Sequence, residues 1–272
     1  AAEGTVLMWL SLRLRMPHLR SCSYVVFVLV AVRLIFFDST APQGLQPFLN
    51  ERFLAFAVSI VAMYLATYLL WQGRDALREW EKHAWSIYPI FLIAATIFLT
   101  LVMPLELGNK IWTTIAWAAE GTVLVWLSLN RRIPLFRICS YAVFVLVAVR
   151  LIFFDSTAPQ GLQPFLNERF LAFAVSIVAM YLATYLLWQG RDALREWEKH
   201  AWSIYPIFLI AATIFLTLVM PLELGNKIWT TIAWAAEGTV LVWLSLNRRI
   251  PLFRICSYVV FSAVAVRLLF FD

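Results

Sequence analysis

Apolar runs of 17 to 20 residues recur roughly every 29 residues along this chain. At about 1.5 Å per helical residue, each run matches the ~30 Å hydrocarbon core of a bilayer. A soluble protein can bury one such helix, but it has no interior for a continuous series of them. The fold class expected is therefore all-α, a polytopic transmembrane helical protein. Composition agrees, since 62% of the 272 residues are hydrophobic and 14% charged, whereas soluble domains are about half apolar and about a quarter charged.

The runs belong to a tandem repeat. Ala1-Ala2-Glu3-Gly4-Thr5-Val6-Leu7 returns at Ala118 to Leu124 and again at Ala235 to Leu241, an offset of 117 residues each time. Residues 26–141 are identical to residues 143–258, position for position. Recent duplication, engineering and a sequence fitted to a repetitive array each account for such identity. The organisation expected is a first repeat over 1–117, a near-identical second over 118–234 and a partial third over 235–272.

Each repeat holds four candidate spans. In the middle copy, helix A runs from about Ile111 to Leu129 and helix B from about Ile138 to Phe154. Helix C runs from about Phe170 to Trp188 and helix D from about Ala201 to Met220. Four is even, so successive repeats enter the membrane the same way up, as parallel repeats, and the chain carries about ten spans. The first helix A supplies only twelve residues ahead of its basic loop, roughly 18 Å of helix. The expectation is that this chain is a window on a longer protein.

Basic residues give the orientation. The A–B loops carry Arg13, Arg15, Arg20, Arg131, Arg132, Arg137, Arg248, Arg249 and Arg254. The C–D loops carry Arg74, Arg78, Lys82, Arg191, Arg195 and Lys199. That makes fifteen on one side, against Arg52, Lys110, Arg169 and Lys227 on the other. The positive-inside rule places the A–B and C–D loops in the cytoplasm. The net charge of +6 follows from this loop pattern and calls for no nucleic acid. Trp71, Trp80, Trp85, Trp188, Trp197 and Trp202 cluster around the C–D loops as an aromatic belt, with a short interfacial helix expected near Asp192 to His200.

Two ionisable positions per repeat lie inside apolar runs: Glu3, Glu120 and Glu237 on helix A, and Arg33, Arg150 and Arg267 on helix B. A charge at such depth is costly unless paired or hydrated. Helical side chains lean toward their own N-terminus, so on antiparallel A and B helices the Glu leans outward and the Arg inward. The expected pairs are Glu3–Arg33, Glu120–Arg150 and Glu237–Arg267. A proton or ion relay is the functional reading of these rows, and a register-fixing buried pair is the structural one. Ala118, Ala119, Gly121 and Thr122 make a small-residue patch that admits a close helix. Outside the membrane, Asp155, Asn167 and Glu168 flank the Pro/Gly-containing B–C loop as a candidate polar cluster, with turn and cap chemistry as the competing reading.

Enzyme signatures are missing: the chain has no GxSxG, Walker A, HExxH or GxGxxG pattern. Cys22, Cys139 and Cys256 recur at one repeat position without CxxC spacing, and His18, His83 and His200 lack a second His at ligand spacing. No metal or cofactor is expected.

Ala-Glu-Gly followed by an apolar stretch ending Val-Trp-Leu-Ser-Leu and Arg-Arg resembles a bacterial family of multi-pass membrane proteins catalogued as a domain of unknown function. Val-Arg-Leu-Ile-Phe-Phe-Asp and Phe-Leu-Asn-Glu-Arg-Phe add to the resemblance, which spans nearly the whole chain. It implies a bacterial inner-membrane location and transfers no activity. The leading functional expectation is a non-enzymatic membrane repeat protein, a scaffold or assembly component whose partners are the lipid bilayer, other copies or neighbouring membrane subunits. A transporter or ion/proton channel using the Glu/Arg rows is the alternative. An envelope glycan or lipid-handling component using the outer loops is a third.

Overall fold

The computed structural model describes residues 1–39, 50–73, 87–108, 111–131, 133–157, 167–190, 204–225, 227–248 and 251–270. Among them the chain is all-helical. The helices are α1 (Ala2–Leu14), α2 (Pro17–Arg33), α3 (Glu51–Gln72), α4 (Ile87–Leu107), α5 (Ile111–Arg131), α6 (Pro134–Arg150), α7 (Glu168–Gln189), α8 (Ile204–Leu224), α9 (Lys227–Arg248) and α10 (Pro251–Phe270). One π-helical turn, Leu34–Asp38, continues α2, and another, Leu151–Asp155, continues α6. Seven helical stretches are long and apolar enough to cross a membrane: Pro17–Asp38, Glu51–Gln72, Ile90–Leu107, Pro134–Asp155, Glu168–Gln189, Ile207–Leu224 and Leu252–Phe270. Large apolar side chains such as Phe36, Phe153, Val178 and Leu269 stand exposed on them, the surface a lipid solvent requires. The fold is that of a helical membrane protein.

Helix α1 is too short for that set, with 13 residues. Helices α5 and α9 have 21 and 22 residues, enough for ~30 Å, but their Thr, Trp and central Glu make them less apolar.

Contacts divide the chain into two compact units, residues 1–113 and 114–272. In the first, α1 and α2 form a hairpin closed at Arg15, whose left-handed backbone (φ 55°) ends α1, and Pro17 opens α2, where a missing N–H costs nothing. Gly4 lies under the ring of Phe27, and the Ser23 hydroxyl donates to the Gly4 carbonyl at 2.7 Å. Phe27 packs edge-on against Phe91 of α4, and Phe56 of α3 against Phe98. Met8, Met63 and Leu70 complete the core.

The second unit repeats these contacts. Gly121 lies under Phe144 between α5 and α6, and Gly238 under Phe261 between α9 and α10. Phe144 meets Phe208 edge-on, and Phe173 meets Phe215. The small-residue patch read from the sequence thus receives a phenyl ring of the neighbouring helix. Helix α9 packs on α8, and α10 packs on both, so residues 235–272 fold with the second unit.

Two helix limits differ from the sequence expectation for a physical reason. Helix α6 begins at Pro134 rather than near Ile138, because proline is pre-set for the first helical position. Helix α8 runs through Pro221 to Leu224, where a stop at Met220 was expected. Pro221 has no N–H for the Thr217 carbonyl one turn back, and the indole Nε1 of Trp234 donates to that carbonyl at 2.8 Å. The αL glycine Gly225 then ends the helix, at φ 59°. Trp80, Trp85, Trp197, Trp202 and the interfacial helix expected near 192–200 lie outside the described residues.

Candidate functional site

Polar groups in an apolar fold have to find one another, and they gather in three kinds of place. The first is at the start of α3 and, identically, at the start of α7. Asn167 caps α7, its Oδ1 accepting from the Phe170 N–H at 2.7 Å. Its Nδ2 donates to Glu223 Oε2 at 2.5 Å, while Arg169 Nε donates to Glu223 Oε1 at 2.9 Å and Nη2 to the Leu222 carbonyl at 2.6 Å. The Arg169 and Glu223 side chains are 5% and 1% exposed. In the first unit Asn50, Arg52, Glu106 and Leu105 reproduce the set, with 2.6 Å from Asn50 to Glu106, 2.8 Å from Arg52 to Glu106 and 2.6 Å from Arg52 to the Leu105 carbonyl.

In the sequence Arg52 and Arg169 read as ordinary outer charges, and their cluster with Glu106 and Glu223 was not expected. A signal was present. Glu223 stands in the last turn of α8, where exposed carbonyls repel an anion, so it needs a cation. The first turn of the antiparallel α7 offers Arg169 at the same level.

The second place is the end of α2 and α6. Arg150 and Asp155 are both buried, with Nε 3.8 Å from Oδ1; the Thr114 hydroxyl donates to Asp155 at 2.5 Å, and the guanidinium lies 5.7 Å from the Trp117 ring centre. Arg33 meets Asp38 likewise at 3.7 Å, in a more open setting. In a regular α-helix residues five apart point roughly 140° away from each other. The π turn winds more widely and brings the aspartate over the arginine.

Two of the three expected Glu–Arg pairs are therefore rearranged. Glu3 is exposed and Arg33 is turned to Asp38, so Glu3–Arg33 does not form. Glu237 is held by Thr217 while Arg267 lies over Trp234, 5.1 Å from the ring centre, so Glu237–Arg267 does not form either. Arginine is long enough to override side-chain lean: its four-atom reach takes the guanidinium outward to the polar end of the helix. Glu120 is buried in α5. Of the outer cluster, Asp155 is buried under Thr114 and Arg150, Asn167 is the α7 cap, and Glu168 is exposed in the first turn of α7. Each has a separate task, and they do not share one pocket. Arg137, read as a loop residue, is buried in α6.

The third place is a cavity of about 650 Å³ in the second unit, walled by α7, α8, α9 and Phe253 of α10. Tyr181, Thr184, Tyr185 and Trp188 form one side, and Ala233, Ala236, Glu237 and Val240 another. Glu237 is buried and accepts from the Thr217 hydroxyl at 3.1 Å. The Thr217 proton lies equally in reach of the Thr213 carbonyl, at 2.9 Å, and the Tyr181 hydroxyl meets Thr213 Oγ1 at 3.4 Å.

Fold and sites together define an all-helical membrane protein with buried ion clusters and a carboxylate-bearing apolar cavity. No protein-family model, curated protein or solved structure matches the chain. No group of His, Cys, Asp and Glu able to hold a metal ion occurs among the described residues.

Proposed function

We propose that the protein is a non-enzymatic scaffold of the bacterial inner membrane, built from parallel four-helix repeats and assembling with other copies or neighbouring membrane subunits. The observation that carries this reading is the Asn–Arg–Glu cluster, rebuilt with the same partners in both units. Every strong donor and acceptor named in it is spent on another member, a cap or a carbonyl, which leaves no open position for a substrate. A device repeated without variation fixes how each repeat is assembled, whereas a transport site usually falls once, between unlike elements.

About ten spans belong to the proposal, counting the short α1 as the first. Helices α4 and α6 meet the length and apolarity of a span, and only residues 132 and 133 separate α5 from α6. A 21-residue α5 between them returns through the bilayer, and α9 does the same between α8 and α10. Fifteen basic residues then lie in the A–B and C–D loops, which are cytoplasmic. The resemblance to the bacterial multi-pass family of unknown function accords with this reading.

Transport is the second reading, favoured by the cavity that reaches Glu237 midway along α9. Proton and potassium flux in proteoliposomes separates the two. The scaffold reading expects no flux above protein-free vesicles and a cross-linked ladder of copies in native membranes. Flux that disappears in a folded Glu120→Gln, Glu237→Gln variant would overturn it.

A further inference from the structure

We infer that the cavity beside α9 binds a lipophilic organic cation, with Glu237 as its counter-ion and the aromatic side chains of α7 as its wall. This goes beyond the scaffold proposal and rests on one part of it, the passage of α9 through the bilayer. The volume of about 650 Å³ lies within the roughly 300–1,000 Å³ usual for small-molecule sites.

Its single carboxylate decides the charge of the ligand. Glu237 is the eleventh of the 22 residues of α9, about 15 Å from either end, too deep to reach water by bending. Its hydrogen bond comes from the neutral Thr217 hydroxyl. The arginine expected to neutralise it, Arg267, lies over Trp234. Among the described residues no cationic side chain forms an ion pair with Glu237. A carboxylate left so in an apolar wall is costly until a proton or a cation neutralises it, and an organic cation that fills the cavity does so while burying its own apolar surface.

The rest of the wall decides what kind of cation. Tyr185 and Trp188 lie with ring centres 6.4 Å apart, and aromatic faces attract diffuse positive charge. Leu216, Met220 and Val240 supply apolar surface. A metal ion would need several oxygen ligands, and the wall offers one carboxylate and scattered hydroxyls. An ammonium or phosphonium shielded by apolar groups needs none of them. It takes the carboxylate for its charge and the rings and aliphatics for its body.

The test is saturable binding of tritiated tetraphenylphosphonium to the full chain in nanodiscs, challenged with unlabelled tetraphenylphosphonium or with neutral triphenylphosphine oxide. The unlabelled cation is expected to displace the label, and the neutral compound to require at least about thirtyfold more. A folded Glu237→Gln variant is expected to bind at least about thirtyfold more weakly, the loss usual when one partner of a buried charge pair is removed. Glu168→Gln, on the exposed first turn of α7, leaves binding unchanged. Should Glu237→Gln fail to fold, the wild-type competition decides. Absence of saturable binding, equal displacement by the neutral compound (an acyl-chain groove), or unaltered binding in Glu237→Gln would each overturn the inference. The scaffold reading fails on flux, a separate measurement.

Discussion

Replacing Glu223 by Gln isolates what the Asn–Arg–Glu cluster contributes. In the native protein each carboxylate oxygen has its own donor, Arg169 Nε at 2.9 Å and Asn167 Nδ2 at 2.5 Å. A glutamine has one acceptor oxygen, so turning it to Arg169 sets its NH₂ against the Asn167 NH₂, and the reverse sets it against the guanidinium. Arg169 keeps the Leu222 carbonyl, but its charge stays buried without a counter-charge. Breaking a dry pair this way costs roughly 3–5 kcal/mol. The same substitution at Glu106 is expected to cost the same, because the distances agree within 0.1 Å (2.8 and 2.6 Å there). Equilibrium unfolding by SDS in mixed micelles measures both. Arg169→Met with Glu223→Leu is expected to cost less than the sum of the single changes, with a coupling of roughly 2–3 kcal/mol, since an apolar pair leaves no buried charge. Single losses below about 1 kcal/mol, the worth of an exposed pair, or strict additivity in the cycle would refute the reasoning.

Two further outcomes follow from packing and backbone chemistry. A Cβ on Gly121 would lie 2.9 Å from the Phe144 ring, which also packs edge-on with Phe208; Gly121→Ala is expected to destabilise the second unit by roughly 1–3 kcal/mol in the same SDS titration. Trp234→Phe removes the donor to the Thr217 carbonyl and is expected to cost roughly 1–3 kcal/mol. In a Pro221→Ala background the restored N–H takes that carbonyl, and the cost of Trp234→Phe shrinks.

Solvent and element type were legible in the sequence alone. Runs of 17 to 20 apolar residues specify helices in lipid because length and hydropathy are local properties, summed along one segment. The sequence placed the start of α7 near Phe170, two residues inside the observed Glu168, and of its two readings of Asn167 the local one, a helix cap, is the one the structure shows. It found Glu237 as a buried charge, since an acid inside an apolar run is visible without any neighbour.

Partners were decided by the tertiary structure. Side-chain lean gave Arg150 a direction, but which carboxylate it meets depends on the π turn that carries Asp155 back over it, and one residue of helix winding leaves little trace in composition. Glu223 and Arg169 are 54 positions apart, and only the packing of α7 against α8 makes them one site. The extension of α8 through Pro221 likewise rests on an indole from the next helix. The cavity beside Glu237 is a space between helices, and a space has no residue of its own to be read from the sequence.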